Sequence, residues 1–269
     1  MSIGNYPDIE VALDDHVATV TIQRPPHNYF DYNLICSIAD AFEDLDKNTQ
    51  CRAIVLAAEG KSFCAGANFG GDDAIDRQDE NKPEDNAFKK RSGRLYHEAV
   101  RLFRAKKPVV CAVQGAAIGG GLGLALVGDF RVACPEARFS ANFSRLGFHP
   151  GFGLTHTLPA LIGQQKAHLM FYTGRRIKAE QAEQWGLIDL LVPKEELLSS
   201  AQALAREIAA SAPLAIQSIR ETVRQGLADR VQNATDRELQ EQEWLLKTED
   251  AKEGIKATAE RREPRFSAK

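Results

Sequence analysis

With 269 residues, 43% hydrophobic and 26% charged, the chain can bury a sizeable core, as one large domain or one domain with a smaller appendage. A net charge of −3 with scattered Lys and Arg excludes the general electrostatic attraction that draws proteins to nucleic acid or acidic membranes. Five widely spaced cysteines (Cys36, Cys51, Cys64, Cys111, Cys134) lack CxxC or Cys/His ligand spacing, so neither disulfides nor a metal site is expected and a reducing, cytoplasmic setting is. The opening MSIGNYPDIE has no basic stretch followed by an apolar run, so no secretion signal is read there.

Ile9, Val11 and Leu13 alternate, "DDH" turns, and Val20 and Ile22 continue, which predicts a β-hairpin halted at Pro25-Pro26. Leu34, Ile35, Ile38, Phe42 and Leu45 fall at helical spacing. "AIVLAA", Ala53 to Ala58, reads as a buried strand ended by Glu59-Gly60. The polar, acidic stretch from Asp72 to Lys90 reads as a long loop of the kind that often forms a lid. Leu95, Ala99, Leu102 and Phe103 predict a helix leading to a strand at Pro108.

No charge occurs between Lys107 and Asp129, which meets the rough ~20-residue length of a membrane span. Gln114 and six glycines dilute its hydrophobicity, and it divides into β-like "PVVCAV" and a Gly-rich part. A buried strand running into a buried helix is the reading. "FRVACPEARFSA" predicts short strands, and from Gly163 onward the pattern is helical. The expected organisation is an α/β core over residues 1–193 and a helical region over 194–269, without internal repeats.

"AAIGGGLGLAL", Ala116 to Leu126, is the stretch that asks for a chemical explanation. A strand, a Gly-rich turn and a small-residue helix present backbone N–H groups to an anion, and glycine lets a ligand approach without meeting a Cβ. The segment lacks the Lys-[Ser/Thr] of a P-loop, and "GGGLG" does not fit the Gly-x-Gly-x-x-Gly of a dinucleotide fold. Close packing of a helix on a sheet accounts for two such glycines, but less readily for four in five positions. "KSFCAGANFGG", Lys61 to Gly71, repeats the theme directly after the strand "AIVLAA".

Together these motifs resemble the crotonase (enoyl-CoA hydratase/isomerase) superfamily. Its F-x-A-G-A-D turn is matched by Phe63-Cys64-Ala65-Gly66-Ala67-Asn68, and its K-P-V-x-A-x-x-G-x-A-x-G-G-G by Lys107 through Gly121. "IQRPPHN" and "ERREPRF" extend the similarity over nearly the whole chain. The resemblance implies a (ββα)n spiral core with a helical C-terminal trimerisation region, as homotrimer or hexamer. It further implies an acyl-CoA thioester as substrate, with no cofactor beyond the coenzyme A that the substrate carries. The backbone N–H groups of Ala67 and Gly120 would form an oxyanion hole for the thioester oxygen, in turns shaped by Gly66 and Gly119. CoA would cross the backbone of Arg24 to Asn28 and Phe63 to Ala67, with Ala65 near the adenine; for Arg24 an ordinary surface charge is an equal alternative. Asn68 would fix its turn, and the Asp72–Lys90 loop would border the acyl pocket.

The family's hydratases carry a glutamate two residues after the glycine triplet and a second in the F-G-x-P-E-x-x-x-G stretch. Here those positions are Gly123 and Phe143. A positioned acid or base is worth about 10²–10⁴-fold, so hydration by the usual pair is excluded for these residues. Phe143 would make the pocket less polar and suited to a bulkier or cyclic acyl group. His149 is the leading substitute for moving a proton and His156 the second, each set against a hydrogen-bonded structural histidine. Tyr96 or His97 could face the site, and Asn142 and Ser144 could orient a water or carbonyl. Cys64 reads as a packing residue. Three functions follow: isomerisation, C–C hydrolysis or decarboxylation at an intact oxyanion hole; hydration with unusual water-holding residues; or a non-catalytic acyl-CoA-binding or assembly subunit.

Overall fold

The computed structural model describes residues 4–68 and 87–269. Strand β1 (Ile9–Asp14) returns as β2 (Val17–Ile22) through Asp15 and His16, both at positive φ (43° and 65°). That pair is what a two-residue type I′ turn requires, and it realises the expected hairpin. Helix α1 (Tyr32–Lys47) begins at Asp31, whose carboxylate accepts the Leu34 amide at 2.9 Å, and it buries Leu34, Ile35, Ile38, Phe42 and Leu45. Strand β3 (Ala53–Ala58) follows. The expected loop from Asp72 lies outside the described residues as far as 86, and by Ala87 the chain is already in helix α2 (Ala87–Phe103).

Strand β4 (Val109–Val113) does not run straight into a helix, as the uncharged segment led us to expect. At Gln114-Gly115 it leaves its sheet and forms a further strand, β5 (Ala116–Ile118), before the short helix α3 (Gly120–Ala125). Gly115 passes so close to the neighbouring turn that a Cβ there would lie 2.0 Å from the Lys61 carbonyl oxygen. A three-residue strand is too brief to show a period of its own.

Strands β6 (Phe130–Ala133) and β7 (Arg138–Ser140), a 3-10 turn (Asn142–Leu146), and helices α4 (Leu154–Ile162) and α5 (Gln164–Thr173) come next. After β8 (Ile177–Lys178), α6 (Ala179–Gln184) and β9 (Leu190–Leu191) the chain is helical: α7 (Leu197–Ala209), α8 (Pro213–Val223), α9 (Leu227–Leu245) and α10 (Glu249–Ala259). The strands form one sheet ordered β1-β2-β3-β4-β6-β9, parallel except for the first pair, and a small sheet ordered β5-β7-β8.

The strand period of two divides the core. Val55, Ala57, Val110, Ala112 and Val132 face Leu197, Ala201, Ala205 and Ala209 of α7. Ile54, Leu56, Val109, Cys111 and Val113 belong to the larger cluster with α1 and α3. Buried Lys107 closes the end of α1 by donating to the Leu45 and Asn48 carbonyls, while the amides of Lys106 and Lys107 bond the Asp46 carboxylate at 2.8 and 3.1 Å. Helix α8 is tied down through Asp129, which accepts from Arg220 Nε (2.9 Å), Arg224 Nη1 (2.7 Å) and the Val109 amide (2.8 Å). No helix among the described residues is long and apolar enough to cross a membrane.

Gly121 shows how tightly the turns are stacked: a Cβ there would stand 2.0 Å from the Cys64 carbonyl oxygen. Gly121→Ala is therefore expected to cost about 3 kcal/mol, since rigid backbone must move. Gly163→Ala has open space, but its φ of 83° with ψ of 155° is a conformation kept almost wholly to glycine, so backbone strain alone should cost about 2 kcal/mol. Urea midpoints at unchanged m measure both.

Candidate active site

The site begins where the two Gly-rich turns join. The Cys64 amide donates to the Ala116 carbonyl at 3.0 Å and the Ile118 amide to the Cys64 carbonyl at 3.1 Å, so Cys64 and Ala117 form a single parallel bridge. Just beyond it both chains turn away, through Gly66 at φ 85° and Gly119 at φ 57°, values that glycine adopts without strain. The turns still touch there: a Cβ on Gly66 would lie 2.8 Å from the Ile118 oxygen and 3.7 Å from the Gly120 nitrogen.

Peptide planarity then sets the two amides. The Gly66 carbonyl accepts from Phe30 N at 3.0 Å, so the Ala67 N–H, trans to it, points to the opposite side. The Gly119 carbonyl turns into α3, accepting from Leu122 and Gly123 at 3.0 and 3.2 Å, so the Gly120 N–H points out of the helix start. Neither amide meets an acceptor among the described residues. Helix α3 has only 6 residues, so these are individual donors rather than the end of a long dipole.

Aromatic rings surround them. Phe30 and Phe152 pack with centroids 5.5 Å apart, and a Cβ on Gly120 would sit 2.4 Å from Phe30 Cζ. At Gly123 a Cβ would lie 2.7 Å from the Phe152 Cβ, so no side chain fits there. Phe143 meets Phe148 edge to face at 5.8 Å, with its ring 3.5 Å from a Cβ built on Gly119. Asn142 Oδ1 is equally near that Gly119 position (3.5 Å), and the Ser144 hydroxyl is buried without a partner among the described residues.

The loop after the 3-10 turn carries His149, half-buried, with Nδ1 2.9 Å from the Pro150 carbonyl. A carbonyl only accepts, so Nδ1 holds a proton and the neutral ring keeps its lone pair on Nε2. Tyr96 points inward from α2 and donates to Gln242 Oε1 at 2.8 Å, while burial pushes its phenol far above the ordinary range. His97, next on the helix, is exposed, which settles the phase that the sequence left open. His156 lies in the first turn of α4, where burial and then Arg230 hold it below the usual imidazole range.

Glu238 was not visible as a site residue in the sequence. It is fully buried on α9 and accepts from the Gly153 amide (2.7 Å), the Thr155 amide (2.9 Å) and the Thr155 hydroxyl (2.6 Å). Burial pushes its carboxyl up, against the pull of those bonds and of nearby His149. Its surroundings in sequence, "DRELQEQ", read as an ordinary charged helix face, so no signal marked it.

On the opposite side, Arg24 is ion-paired with Asp8 (2.5 Å) and Asp31 (2.8 Å). The Asn28 side chain is consumed within its turn, accepting from Arg24 N at 3.0 Å and donating to the Glu59 and Ser62 carbonyls at 2.6 and 2.7 Å. It therefore offers a ligand its backbone alone. The Ala65 amide reaches the His27 carbonyl at 3.0 Å, which holds the 24–28 and 63–67 segments together. Asn68 is half-buried at the end of its turn. Cys64 is fully buried with its thiol pushed up to about 12, so it is a packing residue and no nucleophile.

Comparison with known proteins identifies the family. The family model for enoyl-CoA hydratase/isomerase matches residues 13–269. The chain is 32% identical to the 1,2-epoxyphenylacetyl-CoA isomerase of Escherichia coli (strain K12), over 96% of this chain and 97% of that one. It is also 32% identical to the crotonyl-CoA hydratase of Syntrophomonas wolfei, over 98% and 99%. The crystal structure of an enoyl-CoA hydratase/isomerase from Pseudoalteromonas atlantica T6c superposes with a TM-score of 0.84 at 28% identity, covering 97% of this chain and 100% of that one. Its motifs, its two-sheet spiral and these relatives make the chain a member of the enoyl-CoA hydratase/isomerase (crotonase) superfamily, an acyl-CoA enzyme.

Proposed function

We propose that the chain binds an acyl-CoA thioester with its carbonyl oxygen on the Ala67 and Gly120 amides and performs enolate chemistry other than paired-carboxylate hydration: isomerisation, C–C hydrolysis or decarboxylation. The observation that carries this reading is the pairing of two amides at adjoining turns, neither with an acceptor among the described residues, with Phe152 filling the space at Gly123. Breaking a bond at the α-carbon sends its electron pair onto the thioester oxygen, and each donor aimed there is worth about 2.7–4 kcal/mol. His149 is the group assigned to the proton, through Nε2. CoA lies along Arg24 to Asn28 and along Ala65, Gly66 and Asn68. The four phenylalanines around the Gly119–Gly123 turn favour a bulky or cyclic acyl group, and the E. coli relative, named for a phenylacetyl-CoA epoxide, supports that choice.

One observation favours hydration as a second reading. The Ser144 hydroxyl is buried and unpartnered among the described residues beside Phe143, and with Asn142 it would hold a water. We also propose a homotrimer or a hexamer. Helix α8 leaves Ile219 and Val223, one turn apart on the same face, largely exposed (58% and 74%), a patch suited to burial against another copy.

A mass-spectrometric screen of acyl-CoAs, with branched, cyclic and β-keto types included, is expected to yield a substrate that is rearranged, cleaved or decarboxylated. His149→Ala should slow that reaction by about 10²–10⁴-fold. Crotonyl-CoA hydration at ordinary family rates that survives His149→Ala would count against the proposal. Gly120→Pro removes the donor, and because its ring meets Phe30 it belongs in a Phe30→Leu background; kcat should fall by about 10²–10³-fold relative to Phe30→Leu with the fold intact by circular dichroism. Ile219→Asp with Val223→Asp should move the protein to monomer size by light scattering.

A further inference from the structure

Helix α9 reaches the candidate site with two polar side chains that the chemistry above does not use. Glu238 and Gln242 lie four residues apart, on one face of the helix, and both are buried (0% and 3% exposed). We infer that they are positioning residues: Gln242 fixes which imidazole nitrogen of His149 carries the proton, and Glu238 pins the remainder of the same loop. The inference rests on the reading of His149 as the proton-transfer group.

The argument follows the hydrogen bonds outward from groups that can only accept. Gln242 Nε2 lies 2.9 Å from the His149 carbonyl and 3.2 Å from the Pro150 carbonyl, so the amide nitrogen must face the loop. Its Oε1 therefore faces the Tyr96 hydroxyl, which donates at 2.8 Å and locks the amide against rotation. The Pro150 carbonyl thus held in place is the same one that takes the His149 Nδ1 proton at 2.9 Å. One oxygen, steadied by Gln242, selects the tautomer that leaves Nε2 free to accept.

Glu238 grips the loop one step further on, through Gly153 and Thr155. Between the two grips stands Phe152, at φ 63° and 1% exposed, which fills the space at Gly123. The segment that carries the base and the segment that shapes the pocket are therefore held from one helix. Burying a carboxylate is costly, and here the Gly153 and Thr155 amides and the Thr155 hydroxyl offset that cost. A negative charge near His149 offsets the positive charge the ring gains on taking a proton, the arrangement of a base backed by an acid. In that step the α-proton passes to Nε2, Nδ1–H stays on the Pro150 oxygen, and the C–H electron pair moves onto the thioester oxygen.

Long-range ¹H–¹⁵N spectra of the full-length labelled protein test the assignment, with the His149 signal identified by its loss in His149→Gln. The neutral wild-type ring is expected to hold its proton on Nδ1. Gln242→Leu and Tyr96→Phe should shift it toward Nε2 and lower kcat by about 10²-fold with KM changed by less than about twofold, the mark of a misplaced group. Glu238→Gln should likewise lower kcat, with partial rescue by Glu238→Asp. If Gln242→Leu fails to fold, Tyr96→Phe, which removes one oxygen, carries the test. A proton on Nε2 in the wild type, or on Nδ1 in both variants, overturns the inference alone. Full activity in His149→Ala overturns it together with the proton-transfer reading.

Discussion

Two backbone hydrogen bonds hold the site in being: Cys64 N–H to the Ala116 carbonyl and Ile118 N–H to the Cys64 carbonyl. They join a turn that follows a strand of the large sheet to a strand of the small one. Everything the site offers a carbonyl oxygen depends on that rung, because the amides of Ala67 and Gly120 come from turns that would otherwise have no fixed relation. A donor is worth most when it is preorganised, so that the reaction does no work to orient it. The rung supplies that preorganisation without side chains, and therefore at a place where the sequence has only small residues. Gly121, pressed against the Cys64 carbonyl, is what lets the two backbones close to this distance.

The rings around those amides alter what they can do. Phe30, Phe143, Phe148 and Phe152 displace water and lower the local dielectric, which strengthens each N–H against a developing negative charge. At Gly123 and Phe143 no carboxylate competes with an enolate for the same space. On the proposed reading the site suits charge on the substrate oxygen, and the two positions hold no acids to grip a water between them. In the reading proposed above, proton handling falls to a different loop, whose His149 takes its orientation from α9.

How far this was legible from the sequence varies with the physics behind each residue. Amphipathic periods gave away α1 and α2, because core contacts repeat along them, and a short wholly apolar run gave away β3. The two turns were legible through composition, since glycine is demanded by contact and by positive φ. Strand β5 was not: three residues show no period, and a close approach at Gly115 placed it. The direction of Tyr96 against His97 turned on helix phase, a matter of about 100° per residue that scattered apolar spacing does not fix. The inward turn of the Asn28 side chain, held by Arg24 N and by the Glu59 and Ser62 carbonyls, was not legible, because it depends on a turn 31 to 34 positions away in sequence.

Glu238 was the hardest residue to foresee, and the reason is general. Its meaning comes from a loop 85 positions away in sequence, just as that of Gln242 comes from one 93 positions away. On a helix written in Glu, Gln, Asp and Arg, a buried acid looks like a solvated one until tertiary packing removes the water. Once buried, it can stay charged only if the surroundings supply donors, and the start of α4 does so with two amides and a hydroxyl. The helix start and the acid therefore satisfy each other, and the loop between them has few other places to go. That mutual dependence brings the C-terminal helices to the candidate site: α7 completes a face of the sheet, while α9 holds the loop that carries His149 and Phe152.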